Sequence, residues 1–190
     1  MSGYSQTSKV WSPDNGDGTF TNPIIHADYS DPDICRAGDD FYMTSSSFNS
    51  VPGLPILHST DLVNWEIINY AIDKQVPEEV FKKPQHSKGA WAPSIKYHNK
   101  EFYIYWGDPD YGVYMVKTKD PYGDWTEPVM VLEGKGIIDP SPLWDGENTY
   151  LVHAWAGSRA GINSMLTMRR MNAEGTKVLD EGKNVFEIFF

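Results

Sequence analysis

The chain has 190 residues, enough for one domain with a sizeable buried core. Its 16 basic and 26 acidic residues give a formal net charge of −10, which argues against nucleic acid and anionic membrane surfaces because both need basic patches. Neutral substrates stay open, and the 7 Trp, 11 Tyr and 8 Phe can pack a core or stack on apolar sugar faces.

The first residues, MSGYSQTSKV, show no charged region followed by an apolar one, so no secretion signal is recognisable. If the protein is exported, we expect its signal to have been removed, and secreted, periplasmic and cytoplasmic locations all stay open. The single cysteine, Cys35, lies in an apolar context and predicts a buried, inert thiol. No run of 18 apolar residues exists, which excludes a transmembrane helix.

The stretch DNGDG at 14–18 superficially resembles a calcium-binding loop. It lacks the alternating ligands and the terminal glutamate of an EF-hand, and it therefore predicts a hairpin turn.

A repeat with three copies runs along the rest of the chain. Its first element is a short strand entered through proline and closed by a polar turn, at 31–40, 92–101 and 139–148. Its second is an alternating aromatic strand, at 41–46, 102–107 and 149–155. Its third, less regular, falls at 54–59, 112–118 and 162–170. A fourth is clear twice, at 59–68 and 118–131, where Trp65 or Trp125 opens an outer strand. The best helix candidate is PEEVFK at 77–82.

Four strands per unit, with units of roughly 40–60 residues, are typical of β-propeller blades. The chain is therefore predicted to be all-β, with blades at about 30–70, 90–132 and 138–180. The tail GKNVFEIFF at 182–190 is interpreted as the start of a fourth blade. A propeller needs at least four blades to close, so we expect an unclosed ring that could associate with another copy.

Two aspartates occupy matching positions in this repeat. Asp31 and Asp139 each precede a proline on a first strand, and Trp91-Ala92-Pro93 is the equivalent between them. First strands of propeller blades surround the axis, so the two carboxylates are expected to converge. Such a pair suits glycosidic bond cleavage, in which one group protonates the leaving oxygen and another activates water or attacks carbon. The alternative is that each Asp-Pro only caps a strand or a turn.

Three segments of the chain are informative together: TNPIIHADYSDPDICRAGDDFYMTSSSF, GAWAPSIKYHNKEFYIYW and GIIDPSPLWDGENTYLVHAWAGSRAG. They resemble glycoside hydrolase family 43, whose members are five-bladed β-propeller enzymes that include β-xylosidases and α-L-arabinofuranosidases. The resemblance runs in order from about residue 11 to about residue 186. It implies that residues 1–190 are the N-terminal part of a single propeller catalytic domain.

The resemblance also implies catalytic roles. Asp31 matches the general base, which polarises the attacking water, and Asp139 matches the aspartate that orients the acid and tunes its pKa. The general acid of the family is a glutamate in a Glu-Gly-Pro motif, which this sequence does not contain. Glu187 does not match that motif and is not assigned. An arginine that family members use against substrate from a later blade is likewise absent.

For substrate binding, the resemblance marks Trp91 as the sugar platform and Phe48 as a wall of the pocket. Weaker candidates are expected in loops that leave the inner strands: His86, Trp106, Trp155 and Arg159. The histidines show no metal-ligand spacing, so no zinc site is predicted and no cofactor is required. Some family members hold calcium near the axis, but the matching residues would lie beyond residue 190.

The sequence thus predicts an inverting glycoside hydrolase that acts on xylose- or arabinose-containing plant polysaccharides or oligosaccharides. The alternative is an inactive or carbohydrate-binding propeller fragment without the general acid. A sucrose- or fructan-cleaving propeller is disfavoured because its Asn-Asp-Pro-Asn motif is absent.

Overall fold

The computed structural model describes residues 10–187 as an all-β fold with two one-turn helices. The strands are β1 (Asp33–Ala37), β2 (Asp40–Thr44), β3 (Gly53–Ser59), β4 (Glu66–Ile72), β5 (Trp91–His98), β6 (Glu101–Asp108), β7 (Gly112–Thr118), β8 (Val129–Glu133), β9 (Ile137–Asp145), β10 (Asn148–Trp155), β11 (Met165–Met171) and β12 (Lys183–Glu187). The helices are α1 (Glu78–Phe81) and α2 (Gly157–Ala160). The prediction about a secretion signal concerns the first ten residues, and residues 1–9 lie outside the part of the chain that the structure describes.

The strands form three antiparallel sheets of four, in the orders β1-β2-β3-β4, β5-β6-β7-β8 and β9-β10-β11-β12. Each sheet is a meander in which every strand pairs with the next along the chain, as in a propeller blade. The sheets do not close into a ring within residues 10–187, which fits a partial propeller. The predicted fold class is therefore confirmed.

The tail differs from the prediction. Residues 183–187 form β12, which pairs with β11 through Met165 and Glu187 and through Leu166 and Phe186. This strand completes the third sheet rather than starting a fourth blade. Pairing satisfies the backbone groups that would otherwise be exposed along the outer edge of β11. Residues 188–190 of the tail lie outside the described part.

The middle sheet is packed on both faces, as the alternating side chains of β6 show. Ile104 and Trp106 belong to the apolar cluster shared with the first sheet. Tyr103 and Tyr105, on the opposite face, belong to the cluster shared with the third sheet. Because successive side chains of a strand point to opposite faces, one strand supplies both cores.

The innermost strands of the three sheets lie side by side, β1 against β5 and β5 against β9. A carboxylate joins the first pair: Asp33 Oδ2 accepts hydrogen bonds from Ile95 N at 2.8 Å and from Lys96 Nζ at 2.6 Å. Half-buried ion pairs of this kind combine charge with a backbone donor, so they define how two strands sit together.

Each innermost strand is entered through the same unusual backbone geometry. The residue before the proline has positive φ in all three sheets, at 51° for Asp31, 35° for Ala92 and 52° for Asp139. Non-glycine residues rarely adopt this region because it costs roughly 1–2 kcal/mol. The three positions are therefore structurally equivalent, as the repeat predicts.

Several local predictions can be compared with the structure. The helix expected at 77–82 is present as α1, whereas α2 was not predicted. The 14–18 stretch forms a turn closed by a hydrogen bond from Asn15 N to Thr19 O. Trp65 directly precedes β4, as predicted. Trp125 does not open a strand, because β8 begins four residues beyond it and the Trp125 side chain packs against the first apolar cluster.

Cys35 packs against the first apolar cluster but is only partly buried, so the predicted burial of its thiol is incomplete. Burial raises its pKa to about 12, so the unreactive thiol form dominates at neutral pH. Among residues 10–187, no helix is long and apolar enough to cross a membrane.

Asp108, at the end of β6, is only 1% exposed. Its Oδ1 accepts a hydrogen bond from Asp110 N at 2.9 Å, whereas Oδ2 is buried without a partner among the described residues. Burial raises the pKa of Asp108 from its ordinary 3.8 to about 6. The folded state therefore keeps a proton that the unfolded state releases between about pH 4 and 6, and stability falls as pH rises through that window.

Asp108→Asn should remove this pH dependence. As pH rises from about 3.5 to 7, the unfolding free energy of the variant should increase by about 2–3 kcal/mol relative to that of the wild type, because the amide does not ionise. Urea unfolding of both proteins at the two pH values measures the difference. Parallel stability curves would contradict the assignment of a raised pKa to Asp108.

Candidate active site

Asp31 lies two residues before β1 with an exposed side chain and is held by two serines. Its Oδ2 accepts hydrogen bonds from Ser30 Oγ at 2.8 Å and from Ser46 Oγ at 2.7 Å. Ser46 follows β2, so the second bond closes the start of the first sheet onto the end of its second strand. Short hydroxyl-to-carboxylate bonds restrict the orientation of the carboxylate.

Asp139 occupies the equivalent position in β9. Partial desolvation by the surrounding protein raises its pKa, and the negative charge of Asp31 raises it further. The two carboxylates therefore lie close enough for their charges to interact. Both residues are exposed, and their partners differ, since Asp31 accepts two serine hydroxyls, whereas desolvation and the charge of Asp31 act on Asp139.

The two aromatic candidates lie together. The rings of Phe48 and Trp91 have centroids 6.5 Å apart and an interplanar angle of 74°, an edge-to-face arrangement. Both side chains are half-buried, which leaves ring surface open to solvent. Trp91 is the first residue of β5, and its Nε1 donates to the carbonyl of Ser87 at 3.0 Å.

Phe48 is held in place through its backbone. Its carbonyl accepts hydrogen bonds from Ala90 N at 3.1 Å and from Gln75 Nε2 at 2.6 Å, and Gln75 is only 3% exposed. Gly89 passes so close that a Cβ there would lie 2.3 Å from the Phe48 carbonyl oxygen, and its φ of 99° also favours glycine. The segment carrying Phe48 is thus clamped to the segment leading into Trp91.

Arg159, in α2, reaches across from the third sheet to Trp91. Its guanidinium carbon lies 5.7 Å from the centroid of the Trp91 ring, within cation–π range. Its Nε donates to Asp110 Oδ1 at 3.3 Å, and Lys88 Nζ lies 3.4 Å from Asp110 Oδ2. Asp110 therefore orients the arginine between the second and third sheets.

Two tryptophan predictions need correction. Trp106 is not in a loop: it lies within β6, is 1% exposed and stacks on Tyr114 in the core, so it cannot contact a substrate. Trp155 also lies in a strand, as the last residue of β10, where its Nε1 donates to Thr167 Oγ1 at 2.9 Å. Its side chain is half-buried against the second apolar cluster, and its role in substrate binding stays a prediction. The sequence places both residues in loops because aromatic residues near strand ends resemble pocket residues.

His86 is exposed in the loop before β5, directly ahead of the residue whose carbonyl anchors Trp91. Its role in substrate binding stays a prediction.

Sequence reasoning missed the residues that hold the candidates in place. These are Ser46, Gln75, Lys88 and Asp110. Serine and glutamine are common polar residues with no diagnostic spacing, and their partners lie far away in the chain. Only the DPD sequence at 108–110 offered a signal, as a carboxylate-rich turn after an aromatic strand.

Across residues 10–187, no three His, Cys, Asp or Glu side chains come together as metal ligands. The arrangement consists instead of two interacting carboxylates and a pair of aromatic rings. Such groups can activate water and stack on a neutral, ring-shaped substrate.

Comparison with known proteins identifies relatives of this chain. The family model described as glycosyl hydrolases family 43 matches residues 20–189. A β-xylosidase of Formosa agariphila is 35% identical over 184 residues, covering 91% of this chain and 31% of the relative. A non-reducing-end α-L-arabinofuranosidase of Bacteroides ovatus is 42% identical over 138 residues, covering 70% of this chain and 26% of the relative. The chain thus spans about a third or less of the length of these curated relatives.

Solved structures give the same fold. A xylan β-1,4-xylosidase from Bacillus halodurans aligns with a TM-score of 0.75 at 27% identity, covering 88% of this chain and 34% of that one. A family 43 protein from a capybara gut metagenome aligns with a TM-score of 0.71 at 34% identity, covering 86% of this chain and 32% of that one.

Gly89→Ala should destabilise the protein by about 3 kcal/mol, because the new Cβ would clash with the Phe48 carbonyl and the positive φ is strained. Gly38→Ala is the matched control: its φ is 67°, and a Cβ there would meet nothing within 4 Å. The control should lose only about 1 kcal/mol. Urea unfolding compares the two, and equal losses would contradict the proposed clamp.

Proposed function

The chain belongs to glycosyl hydrolases family 43, and from that premise we propose that the protein hydrolyses glycosidic bonds in xylose- or arabinose-containing plant oligosaccharides or polysaccharides. The observation that carries the proposal is that Asp31 and Asp139, at equivalent positions of the first and third sheets, lie close enough for their charges to interact. The adjoining pair of aromatic rings supports it, because sugars stack their apolar faces on such rings.

In the proposed reaction, Asp31 acts as general base. Its carboxylate accepts a proton from a water molecule, which attacks the anomeric carbon from the face opposite the departing sugar and inverts the configuration. The exposure of Asp31 favours this role, because water must reach the carboxylate. Asp139 is assigned the second role, orienting and tuning the group that protonates the leaving oxygen.

The raised pKa of Asp139 supports this division of labour. Like charges that interact at short range resist simultaneous ionisation, so their protonation states diverge. A carboxyl that gains a proton more readily is suited to tune an acid, and the carboxylate held by serine hydroxyls is suited to act as base.

Substrate binding is assigned to Trp91 and Phe48. Because the guanidinium of Arg159 lies over the Trp91 ring, a sugar would stack on the face that Arg159 leaves free. The remaining N–H groups of Arg159 could donate to sugar hydroxyls at the same place. A neutral carbohydrate also fits the net charge of −10, which would repel anionic ligands.

The test is turnover of 4-nitrophenyl β-D-xylopyranoside and 4-nitrophenyl α-L-arabinofuranoside. Asp31→Asn should lower kcat by about 10²- to 10⁴-fold, because an amide cannot take the proton from water. Asp39→Asn is the control: this side chain is fully exposed on the turn after β1 and should leave kcat unchanged. Proton NMR of the first sugar released checks inversion.

Two outcomes would count against the proposal: wild-type protein without turnover on either glycoside, or Asp31→Asn with wild-type turnover. Binding of xylo- or arabino-oligosaccharides without turnover would instead favour the alternative, a carbohydrate-binding fragment. Self-association through the open sides of the partial propeller stays a prediction that sedimentation can check.

A further inference from the structure

Ser46 makes three hydrogen bonds that connect the proposed base to the sugar platform. Its N–H donates to the carbonyl of Ser30 at 2.9 Å, and its Oγ donates to Asp31 Oδ2 at 2.7 Å. The same Oγ accepts the N–H of Ala92 at 2.8 Å. Ala92 directly follows Trp91, so one hydroxyl joins the residue proposed to activate water to the segment proposed to bind sugar.

From this arrangement we propose that Ser46 is a positioning residue, which orients Asp31 so that Oδ1 is the oxygen that takes the proton from water. The inference rests on the proposed function, because it concerns how the base of that reaction is held.

The direction of the Ser46 hydroxyl follows from its partners. A serine hydroxyl has one hydrogen to donate and two lone pairs. Because the Ala92 N–H occupies a lone pair of Oγ, and because a carboxylate can only accept, the single hydrogen is directed to Asp31. The hydroxyl is therefore oriented before any substrate arrives.

The two serine hydroxyls make the two carboxylate oxygens of Asp31 unequal. Oδ2 accepts from both Ser30 and Ser46, which matches the two lone pairs of one carboxylate oxygen. In the part of the chain that the structure describes, no hydrogen bond reaches Oδ1. The free lone pairs of Oδ1 are the ones that can accept a proton from water.

Asp31 needs such support because of its own geometry. Its φ of 51° is strained, and its side chain is exposed, so little packing opposes rotation of the carboxylate. Ser30 donates to the same oxygen but neighbours Asp31 in sequence. Among residues 10–187, only Ser46 ties that oxygen to the second sheet, through Ala92. Misplacing a catalytic group by about 1 Å can cost about 100-fold in rate.

In the step that Ser46 supports, a water oxygen forms a bond to the anomeric carbon while the bond from that carbon to the leaving oxygen breaks. The electron pair of the broken bond departs with the leaving group. One water proton passes to Oδ1 of Asp31 and later returns to solvent. With a 2,4-dinitrophenolate leaving group no proton from an acid is needed, so the rate reports water activation.

The test therefore uses 2,4-dinitrophenyl β-D-xylopyranoside and the matching α-L-arabinofuranoside with the full chain. Ser46→Ala should lower kcat by about 10- to 100-fold while KM changes by less than about twofold, because the base and not sugar binding is disturbed. Ser46→Thr keeps the hydroxyl and should restore most of kcat. Ser50→Ala, at an exposed serine on the same loop, should leave both constants unchanged.

A second measurement needs no substrate. Hydrogen exchange of the Ala92 amide, followed by NMR, should be at least about 10-fold faster in Ser46→Ala than in the wild type and should recover in Ser46→Thr. Thermal melting of each variant shows that it is folded.

Wild-type kcat in Ser46→Ala, or a change confined to KM, would overturn the inference while leaving the proposed function intact. Slow Ala92 exchange in Ser46→Ala would overturn the hydrogen bond itself. Wild-type protein without turnover on either activated glycoside would overturn the proposed function, and the positioning role with it.

Discussion

The structure depends on one constraint, the burial of the middle sheet on both faces. Strand β6 sends alternate side chains into two apolar clusters, one shared with each neighbouring sheet. Burial of large apolar side chains stabilises a fold by about 1.5–3 kcal/mol each, and here it acts in two directions at once. The three sheets must therefore stack side by side, which brings their innermost strands β1, β5 and β9 together.

Convergence of the innermost strands creates the candidate site. Asp31, Ala92 and Asp139 are equivalent in the repeat, share the same strained backbone geometry and each precede a proline. The carboxylates at two of these positions interact, and the third position directly follows Trp91. The site is a property of the packing between sheets rather than of any single sheet.

Two of the polar contacts around the site cross between sheets. Ser46 joins the first sheet to the second through the N–H of Ala92, and Asp110 joins the second sheet to Arg159 of the third. Loss of packing would therefore disturb the carboxylates and the aromatic pair together. The buried Asp108 lies two residues from Asp110. Its ionisation at neutral pH therefore lowers the stability of the protein close to the site.

The sequence by itself determined the repeat, the all-β fold, and the two Asp-Pro positions, because period-two alternation and turn residues are local signals. It could not decide which aromatic residues face a pocket, so Trp106 was misjudged, and it could not pair β12 with β11. The tertiary structure also decided how Asp31 is oriented. Ser46 is 15 residues from Asp31 and 46 from Ala92, so the first contact needs the pairing of β1 with β2 and the second needs the packing of the first sheet on the second.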